Sequence, residues 1–448
     1  MKNFYLCLVC LFIIVGSGSV QAKVSPKVKD STKIKRTLSN ILNPQANPHK
    51  PTLKISGFVN AQLFYDTRQV VEGREALLEL YPKQTDYDPN GEDLNAHPNL
   101  NEVGMMSRVT LSLSGPEIWK ARTLAVLEGD FTGQTNSDNN GFRLRHAYIK
   151  MNWEHWGFLM GQTWQAFTII ETVPEVVGLN AGSPFRPHAR HPQIRVESYF
   201  KNFTALAAAS FQRDNVSMGP NGSSNIYARN AVFPTFDLQL RWQNEHWMFA
   251  IDGNVKRIQP TLKTNTGYVS HEVLTSFDAT AALRYTSKNI KLKAQGVWGQ
   301  NLTEYSMLGG YIETGLTDFP RADITLANTS QASAWFDLSS AFPAWNVGLF
   351  LGYAQNLAYQ KPIACLDLPA DNILDKTQFI GKFYGRNNNI ASLYRISPRV
   401  TYKYKTLLTA LETEFMSCYY GEPDREGWVQ NAKPVYNLRL LLSVTYFF

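Results

Sequence analysis

Residues 434–448, PVYNLRLLLSVTYFF, decide the fold of this chain. Every second residue from 436 to 448 is aliphatic or aromatic. The positions between them are mostly polar, with Asn437, Arg439, Ser443 and Thr445. Because the side chains of a strand alternate between its two faces, one face of this segment is apolar and the other polar. An apolar strand that ends on an aromatic residue is typical of the last strand of a bacterial outer-membrane barrel; the alternative is the last strand of a soluble sandwich.

Residues 1–22 have the form of a secretory signal peptide. Lys2 precedes an apolar stretch over residues 4–15, and the VQA sequence at 20–22 fits a small-residue cleavage site. We therefore expect export and a mature chain that begins near Lys23. No later stretch contains eighteen consecutive apolar residues, so the sequence predicts no transmembrane helix.

Composition agrees with a barrel and excludes other classes. Aromatic residues make up 12% of the chain, yet its mean hydropathy is negative, as expected where lipid-facing and lumen-facing residues alternate. The 44 Lys and Arg against 37 Asp and Glu give a formal charge of +7. This charge is too mild for a nucleic-acid-binding protein, and no basic run carries interleaved aromatics. It is compatible with a channel that prefers anions.

Residues 23–52 form a basic leader with four prolines. Within it, residues 31–42 could form a short amphipathic helix with Ile34, Leu38 and Ile41 on one face. Two or three turns of helix are not stable alone. The leader is therefore either disordered in the periplasm or contains a small helix that self-associates in an oligomer.

The two-residue alternation continues through the rest of the chain. From Lys54 onward it predicts sixteen strands of about nine to thirteen residues, the length a tilted strand needs to cross a bilayer. Seven short turns alternate with eight long polar loops, among them residues 165–192, 301–330 and 421–433. Outer-membrane barrels show this asymmetry between periplasmic turns and extracellular loops. We therefore predict an all-β, transmembrane antiparallel barrel of porin type over residues 53–448.

The polar face of these strands is expected to line a wet lumen, because charged side chains are costly against lipid. The basic residues predicted to face inward are Arg108, Arg122, Arg143, Arg145, Arg195, Arg241, Lys256, Arg284, Lys291, Lys293, Arg395, Arg399 and Arg439. The inward acids are Glu128, Asp130, Glu197, Asp237, Asp252, Asp278, Glu412 and Glu414. The excess of cations favours anions in the pore. Alternatively, opposite charges pair across the lumen and leave a weakly selective channel.

The third long loop, residues 165–192, is predicted to fold into the lumen and narrow it. Long loops with an apolar face of their own are usually functional, and Phe167, Ile169 and Val177 would pack on the inner wall. The cations expected at the constriction are Arg145, Arg186, Arg190 and Arg195, with His188 and His191 beside them. The opposing acids are Glu171 and Glu175.

Two runs of sequence flank this loop, GQTWQAF at residues 161–167 and RHPQIR at 190–195, with Pro174 and Glu175 between them. GFV at 57–59 and LRHAY at 144–148 accompany them. Together these runs resemble the DcaP-like trimeric outer-membrane porins, most specifically over residues 106–200. The resemblance implies a sixteen-stranded trimer with an infolded third loop that admits small anionic solutes such as dicarboxylates.

The chain departs from that family's pattern in two places. His191 stands where the family usually has Gln, which bears on the solute preference. The amino-terminal coiled coil of the family would have to be the short 31–42 segment here, which bears on the periplasmic extension of the trimer.

No motif in the sequence indicates catalysis or a resident metal. DYDPNG at residues 86–91 opens like a calcium-binding EF-hand loop, but its twelfth position is His97 instead of Glu, so a simple turn is favoured over calcium. There is no HExxH, paired Cys/His spacing, GxSxG elbow or P-loop. Cys365 and Cys418 lie in separate segments and are expected to be unpaired. We expect no enzyme activity, no cofactor and no metal.

The sequence thus favours a passive diffusion porin in the outer membrane of a Gram-negative bacterium. Its expected partners are outer-membrane lipid, small anionic solutes, two further copies in a homotrimer, and the barrel-assembly machinery through the strand ending at Phe448; no nucleic acid is expected. Two alternatives remain, an outer-membrane barrel hydrolase and a surface adhesin that uses the long extracellular loops.

Overall fold

The computed structural model describes residues 50–317, 321–363 and 381–448. The expected signal peptide, the 31–42 helix and Cys365 lie outside these residues. No helix in the described parts of the chain is both long and apolar enough to cross a bilayer.

The regular structure of the described residues is almost entirely β. The strands in chain order are β1 Thr52–Asp66, β2 Val70–Gly73, β3 Leu78–Pro82, β4 Asn99–Val103, β5 Arg108–Ser114, β6 Arg122–Asp130, β7 Arg143–Asn152, β8 Trp156–Trp164, β9 Arg190–Phe200, β10 Phe203–Ser210, β11 Thr235–Gln243, β12 Trp247–Ile258, β13 Leu274–Thr286, β14 Ile290–Gln300, β15 Gly309–Thr317, β16 Asp323–Ser340, β17 Trp345–Tyr359, β18 Phe383–Arg386, β19 Ile390–Tyr404, β20 Leu407–Pro423 and β21 Val429–Phe447. The helical segments are short: Ala166–Thr168, Ile170–Thr172, Ile226–Asn230 and Leu302–Tyr305.

Sixteen strands close into one antiparallel barrel, namely β1, β5 to β14, β16, β17 and β19 to β21. The first and last strands pair from Phe58 opposite Phe447 to Asp66 opposite Arg439. Gly57 and Phe448 extend this seam with two backbone hydrogen bonds of 3.1 Å. Closure leaves no strand edge without a partner, which hydrocarbon requires. The prediction of a sixteen-stranded antiparallel barrel is confirmed.

The register of β21 is the one that its sequence predicts. Tyr436 and Tyr446 are 49% and 53% exposed, whereas Asn437 and Arg439 are 1% exposed. The apolar face therefore points outward, where a barrel of this kind meets lipid, and the polar face points into the barrel.

Aromatic side chains cluster next to the short turns. The rings of Trp247 and Tyr285 lie 4.6 Å apart beside the β11–β12 and β13–β14 turns. Trp345 and Tyr402 make an equivalent pair at 4.6 Å on β17 and β19. Such outward-facing rings match the aromatic girdle of outer-membrane barrels at the membrane interface.

The long connections differ from the sequence prediction. The predicted loop at 421–433 was wrong, because β20 and β21 continue to pair as far as Pro423 opposite Val429 and leave only a tight turn at 424–428. Within the predicted loop at 301–330, β15 pairs with an extended β16 and with β18. The first long loop contains the β2–β3 hairpin and β4. The strands outside the barrel wall, β2, β3, β4, β15 and β18, do not carry the sustained apolar alternation from which the barrel strands were predicted.

Candidate pore constriction

Loop L3, defined here as residues 165–189, connects β8 to β9 and places its apolar side chains against the inner wall. Phe167 is fully buried in a cluster with Leu302 and Tyr305. Ile169 packs against Met248 and other residues on the same face of β12 and β13 as the lumen-facing acids. The apolar residues of L3 thus contact the polar side of the barrel wall.

The two acids of L3 reach cations on the wall. Glu171 forms an ion pair with Arg241 of β11. Glu175 accepts from Lys291 at 3.0 Å and from Lys293 at 3.2 Å, both on β14. Burial raises the pKa of Glu175, but the two lysines outweigh it and hold the pKa at about 2. Glu175 is therefore ionised at neutral pH, and both acids bind L3 to this side of the wall.

The middle of L3 contacts the opposite part of the barrel. The backbone N–H of Val177 donates to Glu412, and the Asn180 amide donates to Glu414 at 3.2 Å, both on β20. Gln62 of β1 donates to the carbonyl of Val177 at 3.4 Å. L3 therefore has polar contacts to β1, β11, β14 and β20, which lie on different sides of the barrel.

Three of the predicted constriction arginines lie close together but are neutralised. Arg145 pairs with Glu128 at 2.8 Å and with Asp130 at 2.7 Å. Arg190 pairs with Asp214 at 2.5 Å. The third, Arg195, donates to the Trp164 carbonyl at 2.8 Å and lies 3.7 Å from Glu197. Arg145 and Arg190 are 3% and 1% exposed, so their charge does not face open water.

Arg186 is buried without a carboxylate partner among the described residues. Its guanidinium donates to the carbonyls of Ala181 at 3.2 Å and Thr168 at 3.4 Å, both within L3. Burial lowers the pKa of Arg186 to about 9. Because both acceptors belong to its own loop, Arg186 holds the shape of L3.

The two predicted histidines lie on either side of the junction between L3 and β9, His188 in L3 and His191 in β9. His188 stacks edge-on against Trp164, with ring centroids 5.0 Å apart. Burial, reinforced by the nearby arginines, lowers the pKa of His188 well below its ordinary value, so the ring is neutral. His191 is buried, and its Nδ1 accepts from the backbone of Arg213 at 3.2 Å. Both histidines contribute packing here and add no charge.

Most of the other predicted lumen residues also occur in ion pairs. The pairs are Arg108 with Glu128 at 3.6 Å, Arg143 with Asp130 at 2.9 Å, Arg395 with Glu412 at 2.8 Å and with Glu414 at 3.0 Å, and Arg399 with Asp337 at 2.8 Å. Arg122 is exposed at the start of β6 and has no ion pair among the described residues. The pairing of opposite charges, left open by the sequence, is thus extensive.

Four partly exposed cations form a basic strip near the short-turn ends of β11, β13 and β14. We define this strip as Arg241, Arg284, Lys291 and Lys293. The side chain of Lys291 is 37% exposed, and that of its partner Glu175 is 32% exposed. Arg284 lies directly opposite Lys293 in the β13–β14 register. The two-residue alternation predicted that all four residues face into the barrel. Nothing in the sequence distinguished them from the arginines that the structure shows to be buried.

Sequence reasoning also missed two loop segments that accompany L3. Residues 301–308 are buried, and the backbone of His188 donates to Tyr305 at 2.9 Å. The β2–β3 hairpin brings Glu79 to Arg439 at 3.1 Å and packs Leu80 near Phe185 of L3. The only sequence signal for either segment was a few apolar residues within a long loop.

The other sites considered in the sequence, namely the calcium-like segment at 86–91, possible metal clusters and the cysteines, have simple local explanations. Asp88 accepts the backbone N–H groups of Asn90 at 2.8 Å and Glu92 at 2.9 Å, which makes the 86–91 segment a self-capped turn. No group of three His, Cys, Asp or Glu residues in the described chain is arranged to hold a metal ion. Cys418 is unpaired and buried.

A closed sixteen-stranded barrel with an apolar exterior, charged interior and short turns at one end defines the porin class of outer-membrane barrels. Among solved structures, the outer-membrane channel DcaP of Acinetobacter baumannii is similar, with a TM-score of 0.62 at 15% identity over 89% of this chain and 97% of that one. OmpT of Vibrio cholerae, an outer-membrane protein, gives a TM-score of 0.51 at 10% identity over 90% and 99%. Its trimer form gives 0.51 at 10% identity over 89% and 99%. No protein-family model and no curated protein matches the chain.

Proposed function

We propose that this chain is an outer-membrane porin that lets small hydrophilic solutes diffuse passively and prefers anions. The supporting observation is the basic strip. Its four cations face two acids of L3, Glu171 and Glu175, and together these six groups carry a formal charge of 4 − 2 = +2. Asp337, opposite Lys293 on β16, is balanced by its ion pair with Arg399. Rings of Arg and Lys favour anions in pores.

The register of the strip strengthens the proposal. Arg284 and Lys293 are direct cross-strand neighbours, and like charges in that position destabilise a sheet. Proteins usually keep a destabilising arrangement of this kind at sites where function requires it. Two adjacent cations also suit a solute with two anionic groups, so small dicarboxylates are the solutes that we propose first.

Planar bilayers test the proposal. Purified protein under a KCl gradient should give a reversal potential on the anion side, and the double substitution Lys291→Gln with Lys293→Gln should move it toward zero. Lys405→Gln, in the β19–β20 turn, removes a charge at the same end of the barrel but away from the strip. A cation-preferring wild type, or an equal shift in the Lys405 control, contradicts the proposal.

We also propose that the working form is a homotrimer assembled in the outer membrane. The trimer form of OmpT, which shares this fold, supports the assembly state. Light scattering with correction for detergent should give three chains per particle. One chain per particle at every concentration would refute it.

The carboxyl-terminal strand is our candidate for the segment that the barrel-assembly machinery binds. It is apolar on its outer face and pairs with β1 at the closing seam. A synthetic peptide of residues 434–448 should compete for binding to that machinery, whereas the same peptide without Phe448 should compete poorly.

A further inference from the structure

Two buried carboxylates on the inner wall have no cation beside them. Asp237 of β11 and Asp252 of β12 are 1% and 4% exposed. Neither has an ion pair with any residue in the described parts of the chain. Arg195, the cation that acts electrostatically on both acids, is itself engaged by Gln193, the Trp164 carbonyl and Glu197. Burying an ionised carboxylate without a counter-charge costs a large free energy.

The strand register brings these two acids together. Asp237 lies opposite Asn254, and Gln239 lies opposite Asp252, so the acids are diagonal neighbours on one face of adjacent strands. Diagonal neighbours lie about 7–8 Å apart, a gap that one ligand bound between the two carboxylates can span.

Several oxygen atoms around the two acids also lack partners. The buried Oδ1 of Asp252, Oδ1 of Asn254 and Oε1 of Gln165 accept no hydrogen bond from any residue that the structure describes. Asn254 and Gln165 are 6% and 2% exposed. The Nε2 of Gln165 contacts both carboxylate oxygens of Asp237 at 3.4 Å and the Tyr305 hydroxyl at 2.9 Å, so its amide lies beside the acid pair. Asp237 also accepts from Ser210 at 3.4 Å, and Asp252 accepts from Gln239 at 3.2 Å, both neutral donors. Three further buried acceptor atoms without a donor suit a positive ligand.

We propose that Asp237, Asp252, Asn254 and Gln165 bind a divalent cation of the hard, oxygen-preferring class, for which calcium is the probe. Carboxylates and amide carbonyls are the ligands that calcium takes in proteins. A charge of +2 balances the two carboxylates. A monovalent ion would leave one negative charge buried.

The same site would fasten L3 to the wall. Gln165 is the first residue of L3, and Gln239 donates both to the Ala166 carbonyl at 2.9 Å and to Asp252 at 3.2 Å. A cation held between β11, β12 and Gln165 therefore fixes the point where L3 leaves β8. Removing the cation should loosen this end of the loop.

Terbium luminescence tests the proposal on the full, lipopolysaccharide-free protein, because Tb³⁺ replaces Ca²⁺ and can be excited through the neighbouring Tyr305. We expect saturable emission that Ca²⁺ displaces. The double substitution Asp237→Asn with Asp252→Asn should abolish it while keeping the side-chain shape. The substitution Asp88→Asn, in an exposed turn, should leave it unchanged.

A second variant covers the case in which the double substitution does not fold. Gln239→Met keeps all four proposed ligands and removes the donor to Asp252 and to the Ala166 carbonyl, a loss of supporting contacts that typically weakens metal binding by about 10- to 100-fold. No saturable binding to the wild type, or equal binding by the double variant, overturns the proposal. A thermal stability that varies with pH but not with calcium also overturns it, because the two acids would then share a proton. These measurements do not depend on transport and stand apart from the proposed porin function.

Discussion

Lys291 of β14 donates to Glu175 of L3 at 3.0 Å, across 116 positions of sequence. Lys293 contacts the same carboxylate, and Ser339 of β16 donates to its other oxygen at 3.2 Å. One L3 side chain thus reduces the charge of the basic strip and attaches the loop to two strands. Selectivity and loop position are coupled through Glu175.

Substituting Glu175→Gln should make the pore more anion-selective, because Lys291 and Lys293 then lose their counter-charge. The carboxyl's folded pKa of about 2 is below its ordinary value of 4.5. A depressed folded pKa stabilises the fold above the unfolded pKa and ceases to do so as pH falls through the folded pKa. In the folded channel Glu175 keeps its charge down to its folded pKa, so the difference in reversal potential between wild type and variant should be constant from pH 7 to about pH 3 and shrink as the pH falls through about 2. Glu154→Gln, in an exposed turn, is the control and should leave the reversal potential unchanged. If the difference between wild type and the Glu175 variant vanished already near neutral pH, the ion pair of Glu175 with the two lysines would be contradicted.

Phe167→Ala should release L3 from the wall. Phe167 is fully buried against Leu302 and Tyr305, and a Phe to Ala change in such a position costs about 3–5 kcal/mol. We expect a lower unfolding temperature and a larger, noisier single-channel conductance. Phe200→Ala removes the same ring from an outward position that is 67% exposed and should change neither. Unchanged conductance in the Phe167 variant would show that this contact does not hold the loop.

Arg190→Met should destabilise the folded barrel more than it changes selectivity. The substitution leaves the Asp214 carboxylate buried with only Arg143, at 3.6 Å, as a partner. Breaking a buried ion pair costs about 3 kcal/mol or more. The second substitution Asp214→Asn should recover most of the loss in a denaturant titration. A large selectivity change at full stability would instead place Arg190 in the open lumen.

Gly57→Ala should weaken the closing seam. A Cβ at Gly57 would lie 2.2 Å from the Arg108 carbonyl oxygen and 2.8 Å from the Phe448 ring, so the backbone of β1 or β5 must shift. Overpacking of this kind costs about 1–3 kcal/mol. We expect less folded, heat-modifiable protein in outer-membrane fractions. Gly296→Ala meets nothing within 4 Å and serves as the matched control; equal losses in both variants would argue against a seam effect.

The sequence by itself determined the barrel. The alternation in 434–448 and in the earlier strands gives each strand one lipid face and one polar face, and this pattern is local, so it can be read without knowing the partners. β11, β13 and β14, at Thr235–Gln243, Leu274–Thr286 and Ile290–Gln300, have the predicted length of about nine to thirteen residues. Closure follows because hydrocarbon permits no unpaired edge.

Only the tertiary structure decided which charges face open water. Arg190 and Lys291 are both basic residues at or near L3, but one is buried against Asp214 and the other is partly exposed beside Glu175. Asp214, Glu79 and Glu304 come from loops whose path no periodic pattern describes. The exposure of a charged side chain depends on which other side chains contact it across the lumen. These contacts join residues that are far apart in sequence, so no local pattern predicts them.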